Sequence, residues 1–223
     1  MNTADTFVQP IVLLVDKADP AAHTDAIRAA ATASVAAYAG ALADGDDLTA
    51  WENWLSGPFT KSVRRADPKT FAKLIATEDG ELLHAVIGNA KAFALTPAAY
   101  EDLPKAISRL QVSGTELPDR DSDFKKSTAR PAPTLVMNGG LGMSTGKAAA
   151  QAAHALFAWF LTLDAEQRYQ WLTTGCMFAL HMASSEEFSA AAAGVPDELL
   201  IEDAGRTEIE PGTATAFVEP SMA

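Results

Sequence analysis

Short apolar runs and longer alanine-rich segments alternate along the chain. Residues 10–16 (PIVLLVD) and 134–138 (TLVMN) have the length and the β-branched content of buried strands. Each run precedes an alanine-rich segment with the length of a helix, near 24–42 and near 146–163. Strands that alternate with helices predict an α/β fold, in which helices cover a mixed or parallel sheet.

The same order of elements occurs twice. In both segments the long helix is followed by a short helix with a tryptophan and a terminal glycine, and then by a strand and an amphipathic helix. The matched residues are separated by 117 or 118 positions: Trp54 and Trp171, Gly57 and Gly175, and Phe71 and Phe188. Any two α/β segments share some of this order, but a constant separation favours an internal repeat.

The repeat defines two units and a connecting segment. We predict homologous units at 8–114 and 134–223, each a small mixed β-sheet flanked by helices, and a linker at 115–133 that is rich in charged residues, Ser, Thr and Pro. In the first unit we also predict an extra helix at 97–107 and a last strand at 110–113. Two-fold dimers can be fused into one chain, so we expect an internal pseudo-dimer, with a homodimer as a further assembly.

Composition bounds the class of protein. The chain is 48% hydrophobic and 21% charged, as in globular proteins, and its net charge of −12 disfavours nucleic-acid binding unless a local basic patch exists. The single cysteine, Cys176, excludes an internal disulfide and a zinc site of several cysteines. The most apolar helical stretch, 148–163, is interrupted by Gln151 and His154, so we predict no membrane span. The first residues, MNTADTFVQP, have no basic region before the apolar run, so we predict no signal peptide, and with a single cysteine the expected location is cytoplasmic.

A glycine-rich segment follows the second predicted strand. Residues 139–151 read GGLGMSTGKAAAQ, and such a turn lets backbone N–H groups at a helix N-terminus face an anion. Ser144 or Thr145 can cap the helix, and neither a Walker A loop nor a GxGxxG motif fits the spacing. Three polar side chains share one helix face: Lys147, Gln151 and His154. This face either binds a ligand or is simply solvated.

A second polar cluster follows the predicted strand near residue 200. Residues 202–215 read EDAGRTEIEPGTAT, which places Asp203 at the carboxyl end of that strand, where α/β sheets bind ligands. Gly205 permits a tight turn, and Thr207 supplies a hydroxyl group. The segment equally fits a plain turn in which Asp203 is a cap and Arg206 forms an ion pair.

Together the two clusters resemble the archaeal/eukaryotic-type (type 2) peptidyl-tRNA hydrolase family over essentially the whole second unit. The motif GK-x-A-A-Q-x-x-H-A corresponds here to Gly146, Lys147, Ala149, Ala150, Gln151, His154 and Ala155. The motif DAGRT followed by I-x-P-G-T corresponds to residues 203–207, Ile209 and residues 211–213.

The resemblance implies hydrolysis of the ester that joins a peptide to the 3′ end of tRNA, with no required metal or cofactor. It assigns catalysis to Lys147, Asp203 and Thr207. Because water is the nucleophile, such a site needs a group that orients water and a donor for the oxyanion. The other matched residues are expected to bind substrate: Gly146, Gln151, His154, Arg206, Gly212 and Thr213.

Both units depart from the family pattern. In the second unit only Lys147 remains of the family loop's three lysines, and residues 135–223 contain three cations against eleven carboxylates. The first unit has Asp25 where the second has Lys147, and residues 89–93 (NAKAF) where the second has DAGRT. We therefore expect no catalysis in the first unit.

The first unit does carry the densest basic run of the chain: Lys61, Arg64, Arg65, Lys69 and Lys73. This run is either a solvated face or the surface that supplies phosphate contacts for tRNA. The leading hypothesis is a cytoplasmic peptidyl-tRNA hydrolase with an inactive N-terminal copy. The alternatives are a non-catalytic binding or regulatory protein of the same fold, and a hydrolase of another small ester or amide.

Overall fold

The computed structural model describes residues 7–77, 80–82, 84–120, 133–205 and 208–220. We call the described residues up to 120 the N-terminal half and those from 133 the C-terminal half. The N-terminal half contains β1 (Phe7–Leu14), α1 (His23–Asp44), α2 (Thr49–Leu55), β2 (Lys61–Ala66), α3 (Pro68–Ile75), β3 (Ala76–Thr77), β4 (Gly80–Glu81), β5 (Ala85–Ile87), β6 (Ala90–Ala94), β7 (Ala98–Ala99) and α4 (Lys105–Ser108). The C-terminal half contains β8 (Thr134–Asn138), α5 (Thr145–Thr162), α6 (Ala165–Thr173), β9 (Ala179–Ala183), α7 (Ser185–Ala192), β10 (Ile201–Glu202) and β11 (Ala214–Glu219).

Each half builds a mixed sheet with the same strand order. The N-terminal sheet runs β2-β1-β6-β5, with β7 added on β1, and the C-terminal sheet runs β9-β8-β11-β10. In both sheets the first pair is parallel and the others are antiparallel. The prediction of an α/β fold with small mixed sheets flanked by helices is therefore confirmed.

Equivalent side chains make equivalent contacts in the two halves. The indole N–H of Trp54 donates to the Thr60 carbonyl at 2.8 Å, and that of Trp171 donates to the Met177 carbonyl at 2.9 Å. The outer face of each sheet carries a pair of phenylalanine rings 5.3 Å apart: Phe71 with Phe93, and Phe188 with Phe217. Thus α3 and α7 cover corresponding outer faces.

The main core lies between the sheets, where α1 packs against α5. One cluster of buried residues includes Ile27 of α1, Phe157 of α5 and strand residues from both sheets. The many alanines of α1 and α5 bring the two helix backbones close, and the aromatic rings of α2 and α6 fill the ends of the layer. The two halves therefore share one core.

Helix α1 is strongly apolar and lies at the centre of the core. Its length and composition alone would allow it to cross a membrane. In the structure, 61% of its most apolar window is buried, against the N-terminal sheet and against α5. Its apolar character is thus explained by its central place in the core.

The predicted last strand of the first unit is wrong. Residues 110–113 form only an isolated bridge, between Gln111 and Arg65. The strand that pairs with β1 is β6, at Ala90–Ala94. The sequence pattern misled because the place beside β1 that a last strand would take is already filled by β6.

The same register corrects the alignment of residues 89–93 with DAGRT. Val12 pairs with Phe93 as Val136 pairs with Phe217, so β6 corresponds to β11. Ile87 pairs with Ala90 as Glu202 pairs with Ala214, so the counterpart of Asp203 is the next residue, Gly88. In the first half, β5 and β6 are joined by a two-residue turn, so the longer connection that carries DAGRT has no equivalent.

The first residues of the predicted linker pack into the protein. The carbonyl oxygen of Thr115 accepts from Gly146 N–H at 3.2 Å, and that of Pro118 accepts from His23 N–H at 2.9 Å. The Thr145 hydroxyl contacts both the Leu117 N–H and His23 Nδ1, each at 2.9 Å. This segment therefore caps the N-termini of α1 and α5 together.

Candidate active site

The glycine-rich segment turns the chain from β8 into α5. A short 3₁₀ turn at Gly139–Leu141 ends at Gly142, whose φ of 58° lies in the left-handed region that favours glycine. Ser144 is the N-cap, and its hydroxyl accepts from the Lys147 N–H at 3.3 Å. This confirms the predicted cap and places Lys147 in the first turn of α5, at the positive end of the helix dipole.

Lys147 forms an ion pair with Asp203, which follows β10. The Gln151 side-chain amide, one turn further along α5, donates to the same carboxylate oxygen of Asp203. Asp203 is buried, with a side chain 1% exposed, whereas the Lys147 side chain keeps 14% exposure. The structure thus brings together three polar residues that lie on two separate segments of the chain.

Backbone hydrogen bonds hold Asp203 at the base of the loop between β10 and β11. Its N–H donates to the Thr213 carbonyl at 2.9 Å, and its carbonyl accepts from the Gly212 N–H at 2.8 Å. Its other carboxylate oxygen accepts from the Gly205 N–H at 2.7 Å. Gly205 has φ of 69°, and a Cβ there would lie 2.7 Å from Pro211, so this tight turn requires glycine.

The predicted site residues fall into three groups. Gly146, Gln151 and His154 line one pocket together with Lys147 and Asp203. Gly212 and Thr213 lie behind that pocket and fix the backbone of Asp203. Arg206 and Thr207 lie outside the described residues, so their predicted roles remain predictions.

Sequence reasoning missed Glu208 as a site residue. Its carboxylate accepts from the Ser144 N–H at 2.9 Å and from the Ser144 hydroxyl at 2.6 Å, and so it occupies the N-terminal end of α5. A carboxylate at this end is favoured by the helix dipole. An acidic residue within a turn gives no signal in the sequence, because this contact joins segments 64 positions apart.

The pocket has a volume of about 360 Å³ and lies between the two halves. The C-terminal half contributes Lys147, Gln151, His154 and Asp203, and the N-terminal half contributes the wall opposite, from the start of β2 and the turns around α4: Thr60, Lys61, Ser62, Tyr100 and Val112. The predicted silent half thus forms part of the candidate site.

His154 and Lys61 form the aromatic end of the pocket. The His154 ring lies edge-on to Phe59, with centroids 4.2 Å apart. Burial, together with the positive charge of Lys61, holds the pKa of His154 well below 6.5, so the imidazole is neutral at pH 7. It can therefore donate one hydrogen bond and accept another, and it adds no charge to the site.

The predicted basic run does not form one surface. Arg64 is buried and donates to three backbone carbonyl groups of the α4 region at 3.2–3.3 Å. Arg65 donates to the segment that follows α4, and Lys61 lies among aromatic rings in the pocket. Of the five, only Lys69 and Lys73, on α3, are exposed. The run is mainly structural because β2, the edge strand of its sheet, packs against α3 and α5 and its arginines donate to the α4 region and the segment after it.

The described residues contain no group of three or more His, Cys, Asp or Glu side chains that could hold a metal ion. The polar atoms of the pocket are instead an ammonium, a carboxylate, an amide and an imidazole. Such a set can orient a water molecule, donate to a carbonyl oxygen and balance a developing negative charge.

This arrangement defines an α/β protein with a Lys–Asp pair at a helix N-terminus, and comparison with known proteins identifies its family. The family model described as "Peptidyl-tRNA hydrolase PTH2" matches residues 133–220. The chain belongs to the type 2 peptidyl-tRNA hydrolase family.

Its relatives include peptidyl-tRNA hydrolases of three archaea. The protein of Pyrobaculum aerophilum is 37% identical over 96 residues, which are 38% of this chain and 78% of that protein. The protein of Halobacterium salinarum is 39% identical over 83 residues, or 34% and 73% of the two chains. That of Methanocaldococcus jannaschii is 36% identical over 93 residues, or 37% and 78%. No solved structure matches the chain.

Proposed function

We propose that this protein hydrolyses the ester between a peptide and the 3′ end of tRNA, in the cytoplasm. The observation that carries the proposal is the Lys147–Asp203 ion pair with Gln151, buried at the end of a pocket large enough for an ester group and its flanking atoms. The archaeal relatives are named for this activity, and the family match covers the half that holds the pair.

In the proposed mechanism, water loses a proton and attacks the ester carbonyl, and a tetrahedral oxyanion forms. Its collapse breaks the bond between the carbonyl carbon and the tRNA 3′ oxygen, which takes up the proton as it leaves. Lys147 donates to this oxyanion, or to the phosphate nearest the ester, because its ammonium lies in the pocket at the positive end of α5. Asp203 orients Lys147 and the attacking water, and Thr207 hydrogen-bonds that water. Gln151 holds Asp203 in place, and the remaining predicted residues position substrate.

We further propose that the two halves are homologous units, at 8–114 and 134–223, joined by 115–133. The support is their common strand order and their matched tryptophan and phenylalanine contacts. The first unit has Asp25 at the helix position of Lys147 and Gly88 at the position of Asp203, so it is catalytically silent. The chain is then an internal pseudo-dimer, and sedimentation velocity distinguishes a monomer from a further homodimer.

The direct test is release of peptide from an N-blocked aminoacyl-tRNA by the purified full chain. Lys147→Met should abolish release, because it removes the donor to the oxyanion and leaves side-chain length unchanged. The matched control is Lys17→Met, in an exposed turn after β1, at the far end of the N-terminal sheet from the pocket. Release by Lys147→Met at the rate of the control would refute the proposed site.

A second function is favoured by charge. The C-terminal half carries few cations, and the Glu208 carboxylate already occupies the α5 N-terminus, where a phosphate would otherwise bind. Both features suit a small, less anionic ester or amide. Binding of tRNA that weakens steeply with salt supports the tRNA substrate, whereas hydrolysis of a short ester together with absent tRNA binding supports the second function.

A further inference from the structure

Lys61 is the side chain of the pocket that the proposed mechanism leaves unused. It comes from the start of β2, in the N-terminal half, and it lines the pocket opposite α5. Its ammonium group lies over three aromatic rings, with centroids at 4.3 Å for Trp54, 4.6 Å for Phe157 and 4.7 Å for Phe59. Two of these rings belong to the N-terminal half and one to α5.

Lys61 lacks the partner that Lys147 has. Among the residues that the structure describes, no carboxylate lies within ion-pair distance of its Nζ atom, and its nearest hydrogen-bond acceptor is the Phe59 carbonyl at 3.5 Å. The rings supply a cation–π contact, but they cannot accept hydrogen bonds as an oxyanion can. The donors of this amine are therefore largely unused.

The surroundings make a charged Lys61 costly in the unliganded protein. Burial lowers the pKa of its amine well below 10.5, and the same burial keeps His154 neutral beside it. The other titratable groups that line this pocket are Lys147, Asp203, Glu202, Glu208 and Tyr100. Of these, Asp203 is already paired with Lys147, and Glu208 is held by Ser144.

We propose that Lys61 is an anion-binding residue of the active site, contributed by the N-terminal half, and that it pairs with a carboxylate or phosphate oxygen of the ligand. Resting on the proposed function, the substrate has its scissile carbonyl at the Lys147–Asp203 pair, and Lys61 binds an oxyanion at a second position in the pocket. That oxyanion is either a phosphate of the tRNA 3′ end in the bound substrate or, after hydrolysis, the carboxylate of the released peptide once it has left the pair. The silent half thereby takes part in substrate recognition.

Two small probes test the binding claim without any hydrolysis. N-acetylglycine represents the peptide carboxylate, and inorganic phosphate represents the nucleic-acid source. Each is titrated into the full chain labelled with ¹³C-lysine, and the Lys61 ¹³Cε resonance, assigned by its loss in Lys61→Met, reports ionisation of the amine. We expect one of the probes to move this resonance toward its charged position, and the responding probe identifies the source of the oxyanion.

Lys61→Met should weaken binding of the responding probe by about tenfold or more, which is the range for hydrogen bonds to charged groups. Lys61→Arg should retain part of the binding, and Lys17→Met should retain all of it. If neither probe moves the Lys61 resonance, or if Lys61→Met binds the responding probe as the wild type does, the proposal is refuted.

Stability separates a ligand-binding role from a structural one. Methionine matches lysine in length and fits the aromatic enclosure without an amine to desolvate, so Lys61→Met should unfold at an equal or higher denaturant concentration at pH 7. Because the folded pKa of Lys61 is lowered, wild-type stability should rise toward that of the variant as pH approaches 10.5. A clear loss of stability in Lys61→Met, with unchanged probe binding, would make Lys61 a packing residue.

The inference and the proposed function can fail separately. A protein that binds a probe through Lys61 but does not release peptide from tRNA contradicts the proposed reaction and leaves the anion site standing. If Lys61→Met releases peptide at the wild-type rate and with the wild-type KM, the proposed reaction stands and the proposed anion site is contradicted.

Discussion

The two lysines of the pocket are in opposite electrostatic situations. Lys147 has Asp203 as a partner and keeps contact with solvent, whereas Lys61 lies among rings without a carboxylate among the described residues. The pairing of Lys147 with Asp203 was predictable, because both residues belong to motifs that a known family carries. The position of Lys61 was not, because a lysine in a basic run gives the same pattern whether it faces solvent or a pocket.

At Asp203, charge and shape can be separated by substitution. Asp203→Asn keeps an oxygen for the Gly205 N–H but removes the charge that pairs with Lys147. We expect turnover of peptidyl-tRNA to fall about 100-fold or more, with a loss of about 1–3 kcal/mol in the free energy of unfolding. Activity and chemical denaturation are measured on the same preparation, with exposed Asp197→Asn as the control.

The double variant Asp203→Asn with Lys147→Met extends this test. If the pair acts as one unit, the double variant should be no slower than the slower single variant. Near-normal turnover of Asp203→Asn, accompanied only by reduced stability, would show that Asp203 serves the turn and not the reaction.

His154 should make stability depend on pH. Its folded pKa is lowered well below 6.5, so the unfolded chain binds a proton that the folded protein does not bind as pH falls through 6.5. Wild-type stability should therefore decrease from pH 8 to pH 5 by on the order of 1 kcal/mol more than that of His154→Gln. Denaturation curves at both pH values measure this difference, and parallel losses in the two proteins would contradict it.

At the scale of elements, periodicity located most helices and strands of both halves, and local rules predicted the cap of α5. Periodicity failed where a segment has no pattern of its own. A long helix was predicted at 97–107, where the structure has the one-turn helix α4, and the last strand was predicted at 110–113, whereas the strand beside β1 belongs to the short β5–β6 hairpin. Such elements are set by what they pack against: the arginines of β2 for the α4 region, and β1 and α1 for the hairpin. Local propensity carries no information about those contacts.

Arg64 on β2 should behave as a structural residue. Its guanidinium donates to the carbonyl groups of Ile107, Ser108 and Leu110, which hold the α4 region against the sheet. We expect Arg64→Met to lower the free energy of unfolding by about 1–3 kcal/mol, because buried acceptors lose their donor. Exposed Lys69→Met should change it by no more than about 0.5 kcal/mol.

Urea denaturation of both variants measures these changes, and tRNA binding at several salt concentrations is recorded alongside. If Arg64→Met is as stable as the wild type and its tRNA binding depends less on salt, Arg64 would instead be a phosphate-binding residue. If Arg64→Met is destabilised and its tRNA binding depends on salt as in the wild type, the result agrees with a buried, structural Arg64.

At the scale of the whole molecule, the two halves are joined by more than a linker. Phe157 of α5 is fully buried and contacts rings of the N-terminal half, including Tyr38 at 5.4 Å and Trp54 at 5.1 Å between centroids. The pocket also takes one wall from each half. The sequence indicated two similar units, but a shared core and a shared pocket depend on how the units face each other, which no repeat pattern specifies.

The C-terminal unit should therefore not be stable as a monomer on its own. Without the N-terminal unit, residues 134–223 would expose Phe157 and the face of α5 that packs on α1, and even a single large-to-small change in such a core costs about 3–5 kcal/mol. We expect the isolated fragment to aggregate, to remain poorly ordered or to pair with itself, and to recover native dispersion in NMR spectra when residues 1–133 are added. Sedimentation velocity distinguishes these states. A symmetric dimer of the fragment would support the proposal that the chain descends from a two-fold dimer, whereas a well-dispersed monomer would show that α5 needs no partner and that the shared core contributes little to folding.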